Sequence, residues 1–248
     1  MKMRMMAAVA AVVFAQAATG EAGTLPASIS RAPLAVGRVS ERLSIGLCYD
    51  RIKRGVEMDN SVNGLLEADS LSVYAGMDVI PWLTIFATVG SAELTSEAGA
   101  ETDAGLKLSG GASAYLWEAD VLTPAFMAGR VTLKASAEVS RSESDTDLGS
   151  VQWMEVVAAL PIGYEIFDRY PTGSSGVATS LALYAGPAVS YLSGTAENLS
   201  GVEADFDGED LFGLVVGADV YFAPQISIGA KIMMFDELSY GASFRFHF

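Results

Sequence analysis

The 248-residue chain has one histidine, His247, and one cysteine, Cys48. Imidazole and thiolate are the side chains best suited to act as base and nucleophile near neutral pH, so these counts bound the chemistry. His247 is the penultimate residue and has no carboxylate or serine partner evident nearby in sequence, so it reads as a lumen or rim residue and not as the base of a triad. Cys48 reads as a small buried residue on a polar strand face and not as a nucleophile, and one cysteine supports neither a disulfide framework nor a zinc ligand set. The remaining candidate is the stretch 194–210, which carries six acidic residues and no cation. Within it Asp205, Asp207 and Glu209 offer the oxygen ligands that divalent Ca and Mg ions prefer. The full spacing of a calcium-binding loop is missing, so the plainer reading is a solvated acidic loop that attracts divalent cations loosely. No segment calls for an organic cofactor.

Lys and Arg total 15 against 30 Asp and Glu, a net charge of −15, while 51% of residues are hydrophobic and mean hydropathy is +0.34. So apolar and aromatic a chain folds. With no basic surplus to neutralise phosphates, nucleic acid is not its partner. Residues 1–18 have a basic start (Lys2, Arg4), a short apolar core and small residues at Ala15-Gln16-Ala17, which reads as a secretory signal peptide. Its apolar stretch is shorter than the about 20 residues that a membrane helix needs. Residues 19–40, with Pro26 and Pro33, read as a linker.

From residue 41 the apolar residues recur with period two. In the last segment Leu238, Tyr240, Ala242, Phe244, Phe246 and Phe248 face one way, and Ser239, Gly241, Ser243, Arg245 and His247 the other. The same division is found at 42–54, 67–79, 103–117, 126–141, 152–165 and 211–222, and less cleanly at 83–92, 177–193 and 226–235. This makes ten strands, with eight as the alternative count. Tyr49, Trp82, Trp117, Trp153, Tyr164, Tyr191, Phe212, Phe222 and Phe248 gather at strand ends, as in the aromatic girdles of membrane barrels. Short proline-bearing connections alternate with mostly longer acidic ones at 55–66, 93–103, 142–150 and 194–210. The expected fold is an all-β, antiparallel, up-and-down transmembrane barrel over 41–248, apolar outside and polar inside. Pro161 and Pro187 fall within strands, where bulges or a loosened seam are expected.

The polar face then becomes the lumen. It carries Arg42, Lys107, Arg130, Lys134, Lys231 and Arg245 with Asp50, Asp78, Glu138, Glu155, Glu165 and Asp219. Cations and anions balance, and paired ions can be buried. Ten strands enclose little more than their own side chains, so the lumen is expected to be filled.

The signal segment, the amphipathic strands and the ending Phe244-Arg245-Phe246-His247-Phe248 together resemble small Gram-negative outer-membrane β-barrels of the opacity and porin-like kind. In that family a terminal Phe with alternating aromatics is the signal read by the barrel-assembly machinery. The resemblance therefore implies outer-membrane location, contact with outer-membrane lipid, and delivery by periplasmic chaperones to that machinery. Outer-membrane proteases and lipid acyltransferases resemble one another in needing a histidine placed toward the outer rim, whereas His247 ends the last strand on the opposite side. The expectation is a non-enzymatic protein, envelope-structural or presenting acidic loops at the surface. The alternative is a narrow porin or a channel for small apolar solutes.

Overall fold

The computed structural model describes residues 43–58, 63–95, 102–121, 129–146, 149–167, 180–198, 202–223 and 226–248. The predicted signal segment, the linker and Arg42 lie outside them. Twelve strands form one antiparallel sheet: β1 Leu43–Met58, β2 Asn63–Ile80, β3 Leu83–Leu94, β4 Thr102–Val121, β5 Gly129–Thr146, β6 Gly149–Ala159, β7 Ile162–Phe167, β8 Ser180–Asn198, β9 Glu203–Gly208, β10 Phe212–Ala223, β11 Ile226–Met234 and β12 Leu238–His247.

The sheet closes on itself. β1 pairs β12 from Ser44↔His247 to Arg51↔Tyr240, and the Phe248 amide donates to the Leu43 carbonyl at 2.8 Å. Neighbours then run β1 to β6, β8, β10, β11 and β12, a ring of ten. β6 and β7 are two halves of one position in the wall, since both lie between β5 and β8. The break between them is Leu160-Pro161. Register is unchanged across it: Ala159↔Ala188 and Ile162↔Ala185 on one side, Ser136↔Ala159 and Leu133↔Ile162 on the other. The prolines thus remove ladder N–H groups without inserting a residue, and the expected bulge is not there. The bulge that matters lies in β4 between Tyr115 and Trp117. It leaves both Leu116 and Trp117 exposed and shifts the parity of the rest of the strand.

The barrel has two storeys. Around the ring of ten the outward residues are large and apolar: Ile45, Leu47, Leu71, Val73, Leu133, Val139, Ile228 and Phe244, with Leu71 57% and Ile162 60% exposed. On β5 this outer belt runs from Val131 to Val139, which at strand rise and a tilt near 40° is about 20 Å tall. Beyond it the pattern inverts. Outward positions become Arg51, Lys53, Glu67, Asp69, Arg141, Glu143 and Asp145. Inward ones become Val56, Leu66, Ala68, Ala92, Trp153, Leu192 and Phe206, which form a buried apolar cluster. The upper storey also has fewer strands. The β11–β12 hairpin turns at 235–237, and over its top β9 pairs β8 on one side and β1 on the other (Val56↔Gly208, Met58↔Phe206). The ring at the belt thus has the ten strands read from the sequence and not eight, while the wall above it narrows to eight.

This storey corrects two expectations. The stretches 55–66, 142–150 and 194–210, read as loops from their acidity, are largely strand, because their inward residues keep the two-residue period while only the outward ones are acidic. Trp153, read as a girdle residue, is 2% exposed inside the upper cluster. Tyr49, Trp117, Phe212, Phe222 and Phe248 are exposed as a girdle requires.

Candidate functional site

The upper apolar cluster rests on a layer of buried ions centred on Arg54, which is 1% exposed. Arg54 lies on the inward face of β1 because it shares parity with Asp50. Its Nη1 donates to Glu155 Oε1 at 2.9 Å and to Ser190 Oγ at 2.7 Å, its Nε to Asp236 Oδ1 at 2.9 Å, and its Nη2 to the Asp210 carbonyl at 2.8 Å. The Phe235 ring covers the guanidinium at 4.4 Å. Asp236 also accepts the Gly55 amide, and Ser239 Oγ both accepts from the Lys53 amide and donates to the Lys53 carbonyl. Side chains thus close the wall where β12 has ended and β9 has not yet begun.

Below this layer lies a cavity of about 290 Å³, lined among others by Asp50, Tyr74, Phe86, Lys107, Lys134, Glu138, Tyr184, Asp219, Lys231 and Arg245. Asp50 holds two lysines, Lys231 at 3.2 Å and Lys107 at 3.4 Å, and Lys107 also donates to Ser70 Oγ at 2.8 Å. Lys134 and Arg245 are held differently. Lys134 Nζ stands 4.7 Å from the Tyr115 ring centre and Arg245 4.7 Å from that of Tyr74, which stacks on Phe86.

Glycines keep this space open. A Cβ on Gly217 would collide with the Tyr184 ring and one on Gly111 with Phe86, so both rings lie flat along the wall. Gly217→Ala should push Tyr184 into the cavity and cost about 1–3 kcal/mol, as overpacking does. A lowered urea midpoint of the refolded protein checks this; an unchanged midpoint shows the ring is not held flat.

Lower still, Arg130 pairs with Asp120 at 2.8 Å and Glu118 at 3.5 Å, Ser180 Oγ donates to Glu165 at 2.9 Å, and Thr84 donates to Asp78. Eleven of the twelve ionic residues read from the sequence thus stand on the inward face, and Arg42 lies outside the described residues. They form separate groups, not one network, and Lys134, Glu138, Asp219 and Arg245 make no ion pair among the described residues. Sequence inspection missed Arg54 and Asp236. For Arg54 the signal was its parity with Asp50; Asp236 sits in a turn, where parity gives no guidance. Glu118 and Asp120 were hidden by the β4 bulge.

His247 does have a serine partner, Ser227 Oγ at 2.9 Å, supplied by β11. Sequence proximity could not show a contact made across strands. Both residues lie on paired strands, Ser44↔His247 on one side and Ser227↔Arg245 on the other. Asp205 and Asp207 stand on the outward face of β9, Asp205 accepts from Thr195 at 3.1 Å, and Glu209 is exposed. Among the described residues no three His, Cys, Asp or Glu side chains are grouped as a metal site would require.

No protein-family model matches the chain, and no curated protein matches it in sequence. Among solved structures it is similar to Salmonella typhi OmpF in complex with Daunomycin, at 11% identity over 82% of this chain and 97% of that one, with a TM-score of 0.16. That likeness carries no argument; the barrel rests on its own strand pairing.

Proposed function

We propose that the protein is an outer-membrane β-barrel with a non-enzymatic, envelope-structural role, whose upper storey projects beyond the lipid as a closed, acidic stalk. The observation that carries this reading is the inversion of polarity along the wall. An apolar-out ring of ten strands suits a hydrocarbon slab, whose apolar band in such barrels is about 25 Å tall. A polar-out, apolar-in ring of eight suits water. Phe244 and Phe246 on the outward face of β12 and Phe248 just after it are exposed, where the assembly machinery would read them, and residues 1–18 would direct export. The alternative of a narrow porin is disfavoured by the Trp153–Phe206–Leu192 cluster and the Arg54 layer, both of which lie inside the bore.

Planar-bilayer recording of the refolded protein tests the reading. The expected trace is flat, with no regular unitary steps in concentrated KCl. Reproducible unitary openings would replace the structural role with a channel.

A further inference from the structure

The belt-level cavity has more than its space to explain. The chain has twice as many acidic as basic residues, yet of the described cations only Arg51, Lys53 and Arg141 face outward, and the other six point into the bore. Glu155 is engaged by Arg54 from above, and Asp50 is shared by Lys107 and Lys231. Lys134, Lys231 and Arg245 line the rest of the cavity together with the carboxylates Glu138 and Asp219 and the Tyr184 ring. Two of these three, Lys134 and Arg245, rest on aromatic faces and not on carboxylates, and the buried Nε of Arg245 has no hydrogen-bond acceptor. A guanidinium N–H that is buried and unmet costs free energy that an oxyanion would return. The Tyr74, Phe86 and Tyr184 rings, ironed flat over glycines, give the same cavity broad apolar walls.

We infer that this cavity is a binding site for a small organic carboxylate, with Arg245 and Lys134 meeting the carboxylate and the rings of Tyr74, Phe86 and Tyr184 flanking a flat apolar body. About 290 Å³ is at the small end of ligand pockets, enough for a single-ring acid and too little for a lipid chain with its headgroup. The site does not require conduction, so it goes beyond the structural role and stands whether or not the bilayer trace is flat.

The test is isothermal titration of the refolded full chain in detergent with benzoate and, separately, inorganic phosphate. Benzoate should bind saturably at one site and raise the melting temperature, and phosphate should bind at least tenfold more weakly, since it offers nothing to the ring walls. Arg245→Gln should weaken benzoate at least tenfold, and so should Lys134→Met. Lys53→Gln, on the outer face, should leave it within twofold. No saturable benzoate heat in the unaltered protein overturns the site. So does phosphate bound as tightly as benzoate, or benzoate binding indifferent to both cavity variants. Should Arg245→Gln fail to refold, the Lys134→Met titration and the benzoate-to-phosphate ratio decide the matter on their own.

Discussion

Arg54→Leu should lower the stability of the refolded barrel by about 3–5 kcal/mol, the usual cost of removing one partner from a buried ion cluster. The leucine itself would pack well beneath Val56 and Leu192. What is lost is the charge that Glu155 and Asp236 face, with side chains only 6% and 8% exposed. Two carboxylates would then be held in a nearly dry layer, and the Asp210 carbonyl and Ser190 hydroxyl would each lose a donor. A purely electrostatic origin makes a second prediction. Arg54→Leu combined with Glu155→Leu and Asp236→Asn should recover more than half of the loss, because an apolar set of similar volume is no worse than a buried ion cluster. Asn at 236 keeps an acceptor for the Gly55 amide. Urea titration of the two variants in the same detergent checks both statements. A single variant within about 1 kcal/mol of the parent would mean that water reaches the layer and that the bore is not sealed there.

Much of the belt was legible in the sequence for a simple reason: an apolar outer face and an ionic inner one put strong and opposite demands on successive residues. Leu43 to Asp50 and Leu238 to His247 alternate without a lapse, and they meet as the closing pair β1–β12. The stalk was not legible because its signal is reversed. Glu203, Asp205 and Asp207 looked like loop acids, yet between them Ala204 and Phe206 point inward on a regular strand. Trp153 was assigned to the lipid boundary from its residue type, although its parity with Glu155 places it inside. Residue type says what a side chain tolerates, and parity says which way it faces; where they conflicted, parity was right. Asp236 lay beyond both rules, since only the short β11–β12 hairpin and the way β9 passes over it bring a turn residue to Arg54. The lumen ions were found as a set, but their partners were not, because the stagger between strands decides which inward residues share a level. That stagger also separates Lys107 and Lys231, which meet at Asp50, from Lys134 and Arg245, which meet aromatic rings.

Leu133→Arg should be the most damaging single change on the outer belt. Leu133 lies between Val131 and Ala135 on β5, close to the middle of the apolar band, and an arginine facing lipid at that depth costs about 2–4 kcal/mol. Its inward neighbour Thr132 is an imperfect control, because it is 5% exposed and packs over Gly163. Ser136 is better: it is on the same strand, three residues along, and lines the cavity, where an added guanidinium finds Glu138 and Asp219 nearby. Ser136→Arg should therefore cost less than half as much as Leu133→Arg when both are measured by reversible unfolding from liposomes. In detergent-free buffer the ordering gives a further discrimination. A soluble barrel with water at its wall would accept arginine at 133 readily and resist it at 136, so the two costs would exchange order. Equal costs, or the exchanged order, would remove lipid from the outer face. The inversion of polarity above Val139 would then mark only a change in surface composition along one water-soluble wall.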